Sequence, residues 1–357
     1  PEVAAPHVVL GRAYERLGQR MEAISAYRRA SELDPDSAYA RTRLVRLAIE
    51  EEEFSLATRS ARGLLELDAD EAEHHFLHGL AASRTDDLET ARESYRNAIR
   101  LRRGDYEEAW FQLANLERDA GNLEEATHAY TMAIKVNDAY ELAWNGLGLA
   151  HFDAGRLEAA ATAFRDAIAL RSDYASAWTN LGRTLAALND YEGSAAAYER
   201  SLAIAPFNRV GRLRLAVAYR RIGRTDDSIA MYEALVRDEP RYVSAWYNMG
   251  IALTTDGRLE EARAAYETAL SIDPNHRSSL KNLGLLEARL GDNAAALEHL
   301  TDALDRDPAD SVLRRRIMRL ARAEEDYERC TREARALLSE SPEDTEAAEH
   351  LRHCVNR

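Results

Sequence analysis

Three histidines in the stretch EHHFLH, His74, His75 and His78, are the first candidates for chemistry. His74 and His78 stand four residues apart, which puts both imidazoles on one face of a helix, a spacing that can hold zinc. No carboxylate or cysteine is placed to complete the ligand set. A second group, His350, His353 and Cys354 in HLRHC, lies near the end of the chain, where helices fray. Acidic runs such as Glu50-Glu51-Glu52-Glu53 and Glu260-Glu261 read as solvated helix surface rather than as acid–base dyads. Gly146 and Gly148 in NGLGLAH lack the third glycine and the preceding strand of a dinucleotide fingerprint, and no phosphate-binding loop, HExxH or CxxC occurs. The residues therefore point away from an enzyme, and they imply no metal and no cofactor.

The bulk numbers narrow the classes further. The chain has 357 residues, 46% of them hydrophobic, with a net charge of −15 and a pI near 5.2. Such an acidic chain lacks the basic footprint that nucleic acid or an anionic lipid surface requires. No apolar run approaches the length of a membrane span. Cys330 and Cys354 are the only cysteines, so no disulfide framework is expected, and a reducing compartment such as the cytoplasm is favoured. Residue 1 is proline, not methionine, which indicates a trimmed start and leaves periplasmic or lipid-anchored placement open. Lys135 and Lys281 are the only lysines among 47 basic residues, an arginine bias that suits a GC-rich bacterial genome.

What positions these residues is a 34-residue ruler. All four tryptophans, Trp110, Trp144, Trp178 and Trp246, fall on one phase of it, in AWFQLA, AWNGLG, AWTNLG and AWYNMG. Fixed-period self-similarity of this kind signals a repeat architecture. With Trp144 as position 4, position 8 is glycine at Gly11, Gly79, Gly148, Gly182, Gly250 and Gly284. Position 20 is small in every repeat, from Ala23 to Cys330. Position 24 is aromatic at Tyr27, Tyr95, Tyr130, Phe164, Tyr198, Tyr232 and Tyr266, and position 32 is proline at Pro35, Pro206, Pro240, Pro274, Pro308 and Pro342. Apolar residues recur at helical spacing within each repeat. A glycine at mid-repeat, such as Gly155 or Gly257, allows the left-handed turn that ends a first helix. The proline near the end stops the second helix. Small residues at positions 8 and 20 mark a close crossing of the two helices, and the large aromatics fill the space around it. The tryptophans are read as packing residues, not as a ligand cage.

The pattern resembles the tetratricopeptide repeat family, whose W-x2-L-G-x2-Y…A-x3-F…P signature is matched by AWNGLGLAHFDAGRLEAAATAF and AWYNMGIALTTDGRLEEARAAY. The resemblance implies an all-α, right-handed superhelical solenoid. It assigns about ten repeats, at 4–37, 38–71, 72–106, 107–140, 141–174, 175–208, 209–242, 243–276, 277–310 and 311–344, in one array over 1–357. Residues 345–357 are expected to form a capping helix with Glu346, Glu349, Arg352 and His353 on a polar face. Three repeats depart from the pattern. Val45, Ala61 and Ala69 replace the glycine, aromatic and proline of 38–71; 72–106 is one residue longer and has His78 in a leucine slot; Met318 and Ala334 replace the glycine and aromatic of 311–344. Looser packing is expected there, with a change of superhelical pitch near residue 106.

The family lines its concave surface with the first helix of each repeat, mainly through positions 2, 5, 6, 9, 12 and 13. In the first five repeats these carry Arg12, Arg16, Arg43, Arg46, Arg84 and Arg118 against Glu15, Glu50, Glu73, Glu108, Asp119 and Asp153. In the last five they carry Arg183, Arg214, Arg220, Arg221, Lys281, Arg289, Arg315, Arg316, Arg319 and Arg322 and no acid, where overall composition would place roughly five. Asn180, Asn248, Asn282 and Tyr247 lie among them. Some family members grip a partner's C-terminal carboxylate with a basic and asparagine clamp. Two clamp elements recur here, as Asn180 with Arg214 and Asn282 with Arg316, but Val210 and Val312 stand where lysine is expected and Leu149 and Ile251 where asparagine is. The expectation is a looser groove for an acidic or carboxylate-bearing protein segment, since arginine's planar fork suits carboxylate. Arg220, Arg221, Arg289 and Arg322 also sit near first-helix C-termini, where a cation is favourable in any case. The resemblance thus implies an adaptor or scaffold that binds a protein partner, with self-association as a further option. The alternative is the non-catalytic repeat region of a larger enzyme or signalling protein, such as a glycosyltransferase, with an asparagine ladder at position 6 that Gly146 and Arg214 interrupt.

Overall fold

Alanine, leucine, glutamate and arginine dominate the segments between the glycines and prolines, and these are strong helix formers. In the computed structural model, which describes residues 3–357, they form twenty-one α-helices and no strand among the described residues. The chain folds as two compact halves, one ending at Leu188 and one running from Asn189 to Arg357. The N-terminal half holds α1 (Ala4–Arg16), α2 (Arg20–Leu33), α3 (Ala38–Glu50), α4 (Phe54–Leu67), α5 (Ala72–Arg84), α6 (Leu88–Leu101), α7 (Glu107–Asp119), α8 (Leu123–Val136), α9 (Glu141–Asp153), α10 (Leu157–Leu170) and α11 (Ala175–Ala187). The C-terminal half holds α12 (Tyr191–Ile204), α13 (Arg209–Arg221), α14 (Thr225–Asp238), α15 (Val243–Asp256), α16 (Leu259–Ile272), α17 (Arg277–Leu290), α18 (Asn293–Asp305), α19 (Ser311–Ala323), α20 (Tyr327–Glu340) and α21 (Thr345–Val355). Odd-numbered helices up to α19 are the first helices of the ten repeats, and even-numbered helices are the second.

The glycine-against-aromatic crossing is steric. A Cβ built on Gly148 would sit 2.6 Å from the Phe164 ring, and one on Gly250 would sit 2.6 Å from the Tyr266 ring. The position-24 aromatics are fully buried, and interiors at native packing density have no room for such an atom. Two of the three departing repeats, 38–71 and 311–344, correct the expectation of loose packing. Val45 and Ala61 are both wholly buried, and so are Met318 and Ala334. Each pair reverses the usual order of sizes, so the large side chain comes from the first helix and the small one from the second. Met318 with Ala334 nearly keeps the volume of a glycine–aromatic pair, which a core tolerates well.

Every repeat ends its first helix in the same way. Position 15 takes a positive φ in all ten repeats, in Gly18, Gly121, Gly155, Gly223, Gly257 and Gly291 and equally in Glu52, Asp86, Asn189 and Glu325. The extra residue of 72–106 is absorbed after α6, where Arg103 and Gly104 both adopt positive φ.

The tryptophans have a second role that their packing did not reveal. Each is half-buried, and each indole N–H donates to a backbone carbonyl six residues earlier, all at 2.9 Å: Trp110 to Gly104, Trp144 to Asp138, Trp178 to Ser172 and Trp246 to Pro240. His75, Arg41 and Arg314 at the same position bond Ala69, Pro35 and Pro308 in the same manner. Position 4 therefore ties the incoming loop to the first helix. The proline that stops the preceding helix keeps its carbonyl free to accept.

Candidate functional site

The histidines resolve into separate contacts. His74 and His75 rings face the backbone carbonyls of Asp68 and Ala69, and His78 Nδ1 meets Ser94 Oγ at 2.9 Å. Burial, with the Arg62 charge nearby, holds the His78 pKa below its ordinary value. Among the described residues no group of three or more His, Cys, Asp or Glu side chains is arranged to hold a metal. Among the described residues no helix is long and apolar enough to cross a membrane.

The second cysteine–histidine group requires a correction. Cys330 on α20 and Cys354 on α21 are joined by a disulfide, with Cα atoms 6.2 Å apart. Cysteine content therefore gives no support to a reducing compartment. Cys330 occupies the small position 20 on α20, the second helix of the last repeat, against which the first helix of a following repeat would pack. α21 takes that place and carries Cys354 into reach.

The first-helix cations of the C-terminal half are largely matched by acids from outside the six mapped positions. Asp310 accepts from the Leu313 backbone N–H as the cap of α19, and it also receives Lys281 Nζ and Arg277, each at 2.7 Å. Burial alone would raise the Asp310 pKa, but the Lys281 and Leu313 hydrogen bonds outweigh it and hold the carboxyl below its ordinary value. Asp344 repeats the device one repeat later, capping α21 through Ala347 N–H and binding Arg315 at 2.7 Å. Glu346 on α21 bonds Arg319 at 2.9 Å and Arg315 at 3.3 Å, and Glu349 lies 3.6 Å from Arg322. Both Asp344 and Glu346 are held below their ordinary values, Asp344 first by the Ala347 N–H and then by Arg315, Glu346 first by Arg319. The polar face of the terminal helix is thus turned in part onto α19.

The other candidates fall into smaller groups. Arg221 bonds the Tyr191 hydroxyl and covers its ring, and Arg220 is half-buried with its Nε unpartnered. Arg214 is exposed. Asn248 turns back to the Ser244 carbonyl of its own helix, and Asn282 lies 3.5 Å from the Tyr247 hydroxyl. In the N-terminal half, Asn180 bonds Asn145 at 3.0 Å, and Arg183 covers the Phe152 ring at 3.8 Å, near Asp153. These amides bond each other, a hydroxyl or their own helix rather than standing as one open ladder.

A cleft of about 640 Å³ opens between α17 and α19. Leu285 and Val312, the latter 75% exposed, give it an apolar side, and Lys281, Arg289, Arg315, Arg316 and Arg319 surround it. Arg289 and Arg316 are exposed, and among the described residues no ion pair engages either. All five cations here were read from the sequence as groove residues, Arg289 also as a helix-end cation; Leu285 was not, and Val312 was read only as standing where lysine is expected.

The tetratricopeptide repeat model matches residues 111–175, 145–209, 213–277 and 257–311, and further models of the same repeat match 4–47 and 72–105. The chain belongs to the tetratricopeptide repeat family. No curated protein matches it. Among solved structures, a tetratricopeptide repeat protein from Parabacteroides merdae is similar at TM-score 0.53 and 17% identity, over 70% of this chain and 98% of that one. YrrB, described as a TPR protein with an unusual peptide-binding site, is similar at TM-score 0.44 and 21% identity, over 52% of this chain and 96% of that one. The APC/C hetero-tetramer Cut9–Hcn1 is similar at TM-score 0.47 and 12% identity, over 99% and 97%. Repeats of this family generally serve as non-catalytic scaffolds for protein–protein interaction.

Proposed function

We propose that this chain is a non-catalytic adaptor that holds an acidic segment of a protein partner against the first-helix face of its C-terminal half. The observation that carries the reading is the α17–α19 cleft, where Arg289 and Arg316 stand without internal carboxylates beside the exposed Val312 and Leu285. Arg315 and Arg319 are committed to α21, so they hold the rim and are poor targets for testing it. Two cations next to an apolar side select a segment with carboxylates around at least one apolar residue. In a protein of net charge −15, two exposed arginines left unpaired beside apolar surface are a local exception to the general field.

The test is fluorescence anisotropy with a labelled peptide of glutamates flanking leucine, against its glutamine counterpart. The wild type should prefer the acidic peptide. Arg289→Glu with Arg316→Glu should weaken that binding by at least about tenfold while leaving α21 docked. Equal binding of both peptides, or no effect of the paired variant, would discard the proposal.

A further inference from the structure

A second concavity lies in the N-terminal half. It is an open cleft of about 540 Å³ lined by α6, α7 and α8. Ile99, Trp110 and Leu113 form its apolar floor. The His128 ring meets the Trp110 indole edge-on, with centroids 6.0 Å apart, at the mouth. The size is within the range of roughly 300–1,000 Å³ seen for small-molecule sites, and so is the combination of apolar wall and few polar groups.

The charges of its two rims differ in sign. Arg96 and Arg100 stand one helical turn apart on α6 and so project together. Arg96 has one shared acid, Glu117, at 3.7 Å, and Glu117 is already bonded by Arg92 at 2.8 Å. Arg100 is exposed, and no ion pair engages it among the described residues. On the opposite rim, α8 contributes Glu124, which binds Arg156 at 2.7 Å, and the exposed Glu125. An anion entering here is drawn to the α6 side and repelled from the α8 side.

We infer that this cleft is a binding site for a small amphiphilic carboxylate. Its flat apolar body lies on Trp110, and its carboxylate is held by Arg96 and Arg100. Offset contact with an indole favours an aromatic body, and paired arginines favour a planar anion. A docked helix is the poorer occupant, because charged residues close both sides of a short floor. The site does not depend on the adaptor reading, since it uses none of the same residues.

The test is isothermal titration of the whole chain with 1-naphthaleneacetate and with the neutral 1-naphthaleneacetamide. The carboxylate should bind with a Kd below about 1 mM, and the amide at least about tenfold more weakly. Arg100→Glu removes the anion partner, and His128→Trp blocks the mouth without altering charge. Each should reduce carboxylate binding at least about tenfold with an unchanged circular dichroism spectrum. The comparison of acid and amide on the wild type stands even if a variant fails to fold. No binding of the carboxylate, equal binding of the amide, or folded variants that bind as well as wild type would overturn the inference.

Discussion

At the scale of single residues, one backbone position governs every repeat. Position 15 must turn left-handed so that the second helix can fold back, whichever residue the sequence supplies. Glycine does this freely, whereas a Cβ in that conformation is strained. Glu52, at φ 60°, carries no glycine advantage and lies in a run of four acids. Glu52→Gly is therefore expected to stabilise the protein by about 1 kcal/mol, while Glu52→Ala, which also removes the charge, gains nothing. Urea unfolding of the three proteins decides it: an equal gain in both variants would mean that acid repulsion, not the turn, sets the cost. The mid-repeat glycines made this turn legible in the sequence. The tryptophan phase was legible as packing, but its clamp on the incoming loop was not. That bond depends on where the position-32 carbonyl points, and a carbonyl leaves no trace in residue type.

At the scale of elements, the terminal helix shows where reading by position reached its limit. Mapping six positions per first helix located Lys281 of α17 and the arginines of α19 but overlooked their partners, because Asp310 and Asp344 sit at position 34 and Glu346 lies beyond the last repeat. A cap residue that also bridges to the preceding repeat has no signature apart from the three-dimensional stack. The same holds for Cys330 and Cys354, whose separation of 24 residues says nothing until α21 takes the slot of a next first helix. α21 is thus held by one covalent bond and by ion pairs from Asp344, Glu346 and Glu349. Both Asp344 and Glu346 have depressed folded values, so their contribution is complete above the ordinary carboxylate range and is lost as pH falls through those values. Cys354→Ser should raise hydrogen exchange across 345–355. Lowering the pH from neutral to about 3.5 should raise it again after correction for intrinsic rates. Exchange in 345–355 that is indifferent to both changes would show that apolar contacts alone dock the helix.

At the scale of the whole molecule, the proposed capture of an acidic segment by an acidic chain must reconcile two fields. On the proposed reading, the net charge of −15 repels the partner at long range, while Arg289 and Arg316 attract it within a few ångströms. Salt separates the two. The Debye length falls from about 30 Å at 0.01 M to about 10 Å at 0.1 M, which screens the distant acids before it screens the cleft. The association rate of an acidic peptide should therefore rise between those concentrations and fall again toward 1 M, where the local attraction is also screened. Arg289→Glu with Arg316→Glu should leave only the rising part, because nothing local then opposes the general repulsion. Stopped-flow anisotropy over that salt series measures both curves. A rate that falls steadily from the lowest salt would mean that the cleft dominates the field at every distance. The overall charge would then be no barrier to an acidic partner.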